Sequence, residues 1–306
     1  MKKNRVIATL VLAVASLTMT SFVKAQGCSD AGFCTVGGMK PHSADSVYEG
    51  SNALKIGAGY GKADFSISTF GNYIEYSRSF TQNFSADLRM TSIVQSGNGI
   101  SEFGLSDVYL TTNLGLGKNL SLTTGVKIPL SKGDRVLDSL PLPMDYQSSL
   151  GTFDIIVGLG YVINRLQLAA ALQQPLTQNE NTFLAENYPA DSPLRAFYST
   201  NDFKRSGDVL LRVSYPIPMS DGLQMTPSLL PIYHMQNDKY TDANGVEKEI
   251  TGSQGLTLNF NLYFDLALDS NQALQMNVGV PFIVRDARPD GLTRSFVANL
   301  EYAVRF

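Results

Sequence analysis

Nucleophilic or metal chemistry in this chain would have to run through two histidines, His42 and His234, and two cysteines, Cys28 and Cys34. A catalytic serine needs a base within hydrogen-bond reach, normally a histidine. Around His234 the chain reads Tyr233-His234-Met235-Gln236, with no adjacent serine. Its apolar neighbours alternate, which puts the imidazole on the polar face of a strand. No catalytic residue is assigned and an enzyme is not expected. Cys28 and Cys34 have five residues between them, a spacing that suits a small structural disulfide loop in an oxidising compartment. A lipidated Cys28, preceded by Gly27, is the rival route. His42 adds one loosely spaced nitrogen, which does not make a zinc ligand set, so neither a metal nor a cofactor is expected.

The remaining polar chemistry lies in charges that stand singly inside apolar segments. Alternation puts Lys55, Glu75, Asp87, Arg89, Asp107, Lys127, Asp154, Asp208, Arg212, His234, Asp265, Glu301 and Arg305 on polar strand faces. Seven are acidic and five basic, so they do not form a strongly ion-selective ring. Pairing across a filled interior is favoured over a permeation path lined by free charges. Asp107, Asp154 and Asp208 each stand near a predicted strand start, where a carboxylate caps loop backbone more readily than it joins an acidic collar.

The elements that must position these residues have a period of two. From Leu256 to Leu268 every second residue is Leu or Phe, with Thr257, Asn259, Asn261, Tyr263 and Asp265 between them. Twelve such segments start near Leu54, Tyr73, Phe84, Leu105, Leu120, Phe153, Leu166, Asp208, Leu223, Leu256, Ala273 and Ser295. At roughly 9–13 residues they are long for a soluble sandwich and suit tilted strands crossing a bilayer. The even-numbered connections are tight, and the odd-numbered ones mostly long, notably 131–151, 177–206 and 237–253. Lipid-facing strands must have every backbone group paired, which requires a closed sheet. The fold expected over 51–306 is therefore all-β: a transmembrane antiparallel β-barrel of about 12 strands, with short periplasmic turns and long outer loops. Pro227, Pro231 and Pro281 interrupt it as kinks or bulges. Arg78 alone falls on a lipid face, beside a turn where its stem can snorkel.

Residues 1–25 read as a secretory signal: Lys2, Lys3 and Arg5, then an apolar run from Val6 to Ser16, then Val23-Lys24-Ala25 as cleavage site. Its removal takes four basic and no acidic residues, leaving 20 basic against 27 acidic. That balance excludes nucleic acid as a partner. Residues 26–50 form either a plug inside the barrel or a loose tail. The whole chain is 43% hydrophobic and 17% charged, with a mean hydropathy near zero, as averaging over two unlike strand faces would give. With no Trp, any aromatic girdle is built from Tyr and Phe.

Two stretches carry a resemblance. Gly125-Val126-Lys127-Ile128-Pro129 and Tyr146-Gln147-Ser148-Ser149-Leu150-Gly151-Thr152-Phe153-Asp154 resemble the outer-membrane transporters associated with phenol meta-cleavage pathways, distant relatives of the long-chain fatty-acid transporters. Gly27-Cys28-Ser29-Asp30-Ala31-Gly32-Phe33-Cys34 is similar to the start of exported barrels of Bacteroidota. Tyr302 and the final Phe306 resemble the signal read by the outer-membrane assembly machinery. The resemblance implies a porin-like protein in a Gram-negative outer membrane, in contact with its lipid. Small hydrophobic or aromatic solutes would pass through a plugged lumen. The alternatives are a structural or interaction protein acting through loops 177–206 and 237–253 and, less favoured, a barrel phospholipase using His234.

Overall fold

The computed structural model describes residues 39–41, 51–291 and 294–306. The signal segment, the Cys28–Cys34 loop and His42 lie outside the described residues. Twelve antiparallel strands form one closed barrel. They are β1 Asn52–Ala63, β2 Ser68–Thr81, β3 Phe84–Gly97, β4 Ile100–Gly115, β5 Leu120–Pro129 and β6 Asp154–Ile163. Then come β7 Leu166–Pro175, β8 in two pieces (Asp208–Ser214 and Ile217–Ser220), β9 Leu223–His234, β10 Gly255–Ala267, β11 Gln272–Ile283 and β12 Arg294–Arg305. Each strand pairs with its sequence neighbour, and β12 returns to β1 in a register running from Ala53 opposite Arg305 to Lys62 opposite Phe296. Asn52 and Phe306 exchange backbone hydrogen bonds of 2.9 and 3.0 Å at the end of this seam.

The two faces follow the alternation. Ile56, Ile74, Leu88, Leu110, Leu159 and Leu300 project outward and exposed, while Glu75, Arg89, Lys127 and Glu301 are buried inside. An apolar outer face this continuous would be an aggregation hazard in water and suits hydrocarbon. Arg78 lies on the outer face with its guanidinium 5.5 Å from the centre of the Phe80 ring, beside the turn at residues 82–83. Tyr302 faces outward and donates to Gln272 Oε1 at 2.5 Å, and Phe306 is exposed.

Several boundaries differ from the sequence expectation. β2 begins at Ser68 rather than Tyr73, and β4 at Ile100 rather than Leu105, so the first and third connections are tight instead of long. The third is a two-residue hairpin, Asn98-Gly99, with φ of 52° and 78°, the doubly left-handed turn for which Asn-Gly is best suited. β4 was hidden by a bulge: Met90 faces Val108 and Ser92 faces Leu105, leaving Ser106 and Asp107 opposite Thr91. The bulge reverses the alternation. Pro281 also sits at a register shift, against Leu258–Asn259. Pro231 pairs regularly with β10, but on its other side the β8–β9 ladder lapses between Leu210–Ile232 and Val213–Leu229.

At the end opposite the tight even-numbered turns, the three long connections fold over the barrel mouth as a cap. One of its cores is Ile67, Leu142, Tyr146, Phe183, Tyr188, Leu194 and Phe197. A second is Met144, Leu150, Phe203, Ile250 and Ala287. Asn181, fully buried, ties the layers together. It donates to Gly133 O (2.8 Å) and Leu142 O (3.0 Å) and accepts from Phe183 N (2.9 Å) and Thr200 Oγ1 (2.8 Å). Gly291, at φ 64°, lets its chain run against Asp145, where a Cβ would stand 2.5 Å from the backbone nitrogen.

Candidate functional site

Cross-strand register turns the isolated charges of the sequence into a belt inside the barrel. Lys55 faces Glu75, Glu75 faces Arg89, Arg89 faces Tyr109, Tyr109 faces Lys127, and Lys127 faces Asp154. Opposite signs therefore meet across Lys55–Glu75–Arg89 and across Lys127–Asp154, with the neutral Tyr109 between the two cations. Glu75 receives Lys55 at 2.7 Å and Arg89 at 2.6 Å, and Lys127 meets Asp154 at 2.9 Å and Thr152 Oγ1 at 2.9 Å. Across the other half, Gln224, Asp265, Gln275 and Glu301 stand in register, and Gln275 donates to Asp265 at 2.5 Å.

Lys40, from the segment preceding the barrel, enters this belt and binds Glu301 at 2.6 Å. Met39 beside it is buried in a cluster with Tyr109, Ile156, Ala171, Leu210 and Leu230. Tyr73 also donates to Glu301. Its ring lies over Gly57, where a Cβ would be 2.2 Å from the aromatic carbons. Lys40 thus acts as a cross-brace, linking pre-barrel chain to the last strand. Sequence alternation could not find it, because it precedes the first strand.

Nearer the cap, Asp208 and Asp238 flank His234 at 2.7 Å on Nδ1 and Nε2 respectively. Both ring nitrogens are therefore committed to carboxylates, and neither is left for a serine. That geometry does not fit His234 as the base of a phospholipase. Arg205 binds Asp208 at 2.5 Å, and Arg285 binds Asp290 at 2.9 Å. Burial alone would raise the Asp290 carboxyl, but Arg285 and Arg205 outweigh it and hold it at about 2. Asp145 in the cap is the opposite case: burial, then the charges of Asp64 and Asp290, push it up to about 8 despite Arg294.

The remaining sequence-singled residues also face inward. Asp87 accepts from Asn113 (2.8 Å), Arg212 donates to Tyr263 (2.8 Å), and Asp265 and Arg305 are half-buried. The three aspartates expected to cap loop backbone instead bind side chains. Asp107 accepts from Ser149 Oγ at 2.7 Å and Ser106 Oγ at 3.1 Å. Asp154 takes Lys127 and Gln173, and Asp208 takes Arg205 and His234. The bases, amides and hydroxyls around them take the place of loop N–H groups.

An open tube of this strand count would have a backbone diameter of about 24 Å and on the order of 12 Å clear. Among the described residues the lumen instead holds two large chambers, besides a small cavity of about 30 Å³ beside Met39 and Arg212. One, about 200 Å³, lies under the cap segment Gln147–Leu150. The other, about 480 Å³, is lined by Ser79, Ser85, Ser220 and Gln224 near the tight-turn end. Lys40, Gln275 and Glu301 border both, so the belt forms the partition.

No protein-family model and no curated protein matches the chain. Among solved structures it is similar to an outer membrane channel from Pseudomonas putida F1. The TM-score is 0.60 at 12% identity, covering 87% of this chain and 100% of that one. The porin NanC (TM-score 0.46, 12% identity, 83% and 98% covered) is also matched. So is the translocator domain of the autotransporter NalP from Neisseria meningitidis (TM-score 0.46, 11% identity, 86% and 90% covered). At these identities the first likeness speaks for a shared barrel fold.

Proposed function

We propose that the protein resides in the outer membrane of a Gram-negative cell and passes small molecules through its lumen. The observation that carries this reading is the pair of chambers, one toward each end, parted by a single ion-paired partition. Side chains fill a barrel of about eight strands, whereas twelve leave room that this lumen keeps at both ends. In this reading residues 1–25 are removed on export and the tight turns lie in the periplasm. Tyr302 and Phe306 serve assembly, and residues 26–50 are the plug, for which Met39 and Lys40 inside the barrel are the support. The loops that an interaction protein would present are folded over the mouth instead, with Phe183, Leu194, Phe203 and Ile250 buried.

The implied preference for hydrophobic or aromatic solutes finds support in the rings of Tyr73, Tyr109 and Tyr263 on the upper chamber wall. The wall is otherwise rich in amides and hydroxyls, which a wholly apolar solute would leave desolvated. Liposome swelling with the full chain, and with residues 26–50 deleted, tests the proposal across solutes of rising size and hydrophobicity. Deletion should speed permeation severalfold. If neither protein passes any small solute, transport is refuted. If the full chain passes solutes and deletion changes nothing, the plug is refuted alone.

A further inference from the structure

The ion cluster beneath the cap balances its charges only while His234 carries a proton. His234 ends β9, and its register partner on β8 is Asp208, whose Oδ1 lies 2.7 Å from Nδ1. Asp238, four residues on, places its Oδ1 2.7 Å from Nε2. A neutral imidazole has one N–H and one lone pair, so it serves one of these carboxylates and repels the other, whereas an imidazolium donates to both. The charge count agrees. Asp208, Asp238 and Asp290 face Arg205 and Arg285, with 2.5 Å for Arg205–Asp208, 2.9 Å for Arg285–Asp290 and 4.0 Å for Arg285–Asp238. Every side chain of the cluster is at least nine-tenths buried. The three carboxylates exceed the two guanidinium groups by one negative charge, which the imidazolium cancels. From β10 the residue opposite His234 is Gly255, which brings no charge. Asp154 on β6, whose charge bears on Arg205, is itself held by Lys127, and Asp145 in the cap lies under the charge of Asp290.

The same cluster ties the connections to the barrel wall. Arg205 stands at the end of the connection before β8, Asp238 in that between β9 and β10, and Arg285 and Asp290 in that between β11 and β12. Each of these connections gives one residue to the second cap core: Phe203, Ile250 and Ala287. They pack with Met144 and with Leu150, which belongs to the segment roofing the upper chamber. Ser206 N donates to Asp238 Oδ1 at 3.0 Å, Asp238 N to Ser253 Oγ at 2.7 Å, and Arg285 to Ser253 O at 2.8 Å. Removing the proton leaves a buried carboxylate against a lone pair where all three supports of the roof are anchored, and an uncompensated buried charge is strongly destabilising.

We propose that His234 is a proton-operated latch: its imidazolium holds the cap over the upper chamber, and release of that proton loosens the cap and admits solutes. This rests on the reading that solutes enter the lumen. A proton bound in the closed cap and released on opening favours closure at low pH, and closure weakens as pH rises. Asp145 titrates in the same sense, so every protein compared carries Asp145→Asn. The test is hydrogen exchange of residues 238–253 in the full chain folded in detergent, as the ratio of variant to parent from about pH 5 to about pH 9. His234→Gln, with a donor but no charge, should exchange about tenfold faster at the acid end, the worth of one charge-assisted hydrogen bond. The difference should vanish toward the alkaline end as the parent sheds its proton. His234→Lys stays charged across this range and should match the parent in acid and exchange about tenfold slower in alkali. A third measurement needs no change at the site. With His42→Gln, His234 is the sole histidine, and the ¹⁵N spectrum at neutral pH should show both ring nitrogens as N–H, where a free imidazole is mostly neutral. A neutral His234 ring, or ratios flat with pH in folded variants, overturns the latch. Liposome swelling by the parent should rise severalfold from acid to alkali, and exchange that responds without it overturns the gate. No swelling from any protein at any pH refutes transport itself, while exchange and the ring spectrum still judge the latch.

Discussion

Replacing Asp145 with Asn should tighten the cap at neutral pH and remove most of its pH dependence. Asp145 is buried where the 130–153 connection meets the chain at Gly291, under the charges of Asp64 and Asp290, with Arg294 acting in the opposite sense. Burial comes first and the two carboxylates second in raising its pKa from 3.8 to about 8. For a carboxyl raised in the folded state, the contribution to stability is greatest below the unfolded pKa and is lost as pH climbs to the folded one. The slope approaches about 1.4 kcal/mol per pH unit, so at pH 7 the cap carries a penalty of up to about 4 kcal/mol. Asn is neutral at every pH and close in shape, so it lifts this penalty while keeping an N–H donor where the protonated acid had O–H. Hydrogen exchange of residues 142–150 measures it. Taking the ratio of wild-type to variant rates at each pH cancels the intrinsic pH dependence of exchange. Between about pH 5 and about pH 8 the ratio should rise steadily. Even one quarter of the full effect, about 1 kcal/mol, gives about fivefold at neutral pH. A ratio that stays flat across this range would show that the Asp145 carboxyl titrates normally, and the burial argument would fail.

Three further outcomes follow from the same contacts. Glu75→Gln leaves Arg89 and Lys55 without their shared counter-ion inside the barrel, and should cost about 3 kcal/mol in urea unfolding in lipid. Asn181→Ala removes four hydrogen bonds from a buried position and should loosen the cap by about 2–4 kcal/mol. Faster trypsin cleavage at Arg195 and Arg205, with strand protection unchanged, would report it. Gly291→Ala combines a left-handed φ with a Cβ 2.5 Å from Asp145 N. It should speed exchange in 142–150 by at least tenfold, and an unchanged rate would mean the two chains are not in contact.

Much of the wall was legible because a membrane strand states its two faces residue by residue. Glu75, Arg89, Lys127 and Asp154 could be placed inside from Leu88, Val126 and Ile155 beside them. The same rule lost the start of β4 at Ser106-Asp107, where two residues share one partner and the alternation changes phase, although Asp107 itself lines the upper chamber. It was also weak in β2, whose first residues include Gly71 and Asn72 and carry little hydrophobic contrast. Register was not legible, and register is what makes an ion pair from Glu75 and Arg89, which are fourteen positions apart. Asp145, Asp238, Arg205, Arg285 and Asp290 lie in connections with no period, so only the folded cap brings them together. The amides of the upper chamber carried a usable signal. Asn261 already stood on the polar face of β10, but charge drew attention away from it.

The seam between β1 and β12 has a kinetic meaning. Its terminal partners, Asn52 and Phe306, are 254 positions apart, whereas each other strand meets its sequence neighbour. Joining such distant ends from an open chain costs about 4 kcal/mol more loop entropy than a four-residue hairpin. The seam therefore forms last, after the hairpins have curled the sheet and brought its edges together. Unfolding retraces this only by parting eleven register pairs in concert within hydrocarbon, where no water waits to receive the freed amides. The molecule should therefore be slow to assemble and far slower to come apart, so that its lifetime in a membrane reflects a barrier more than an equilibrium.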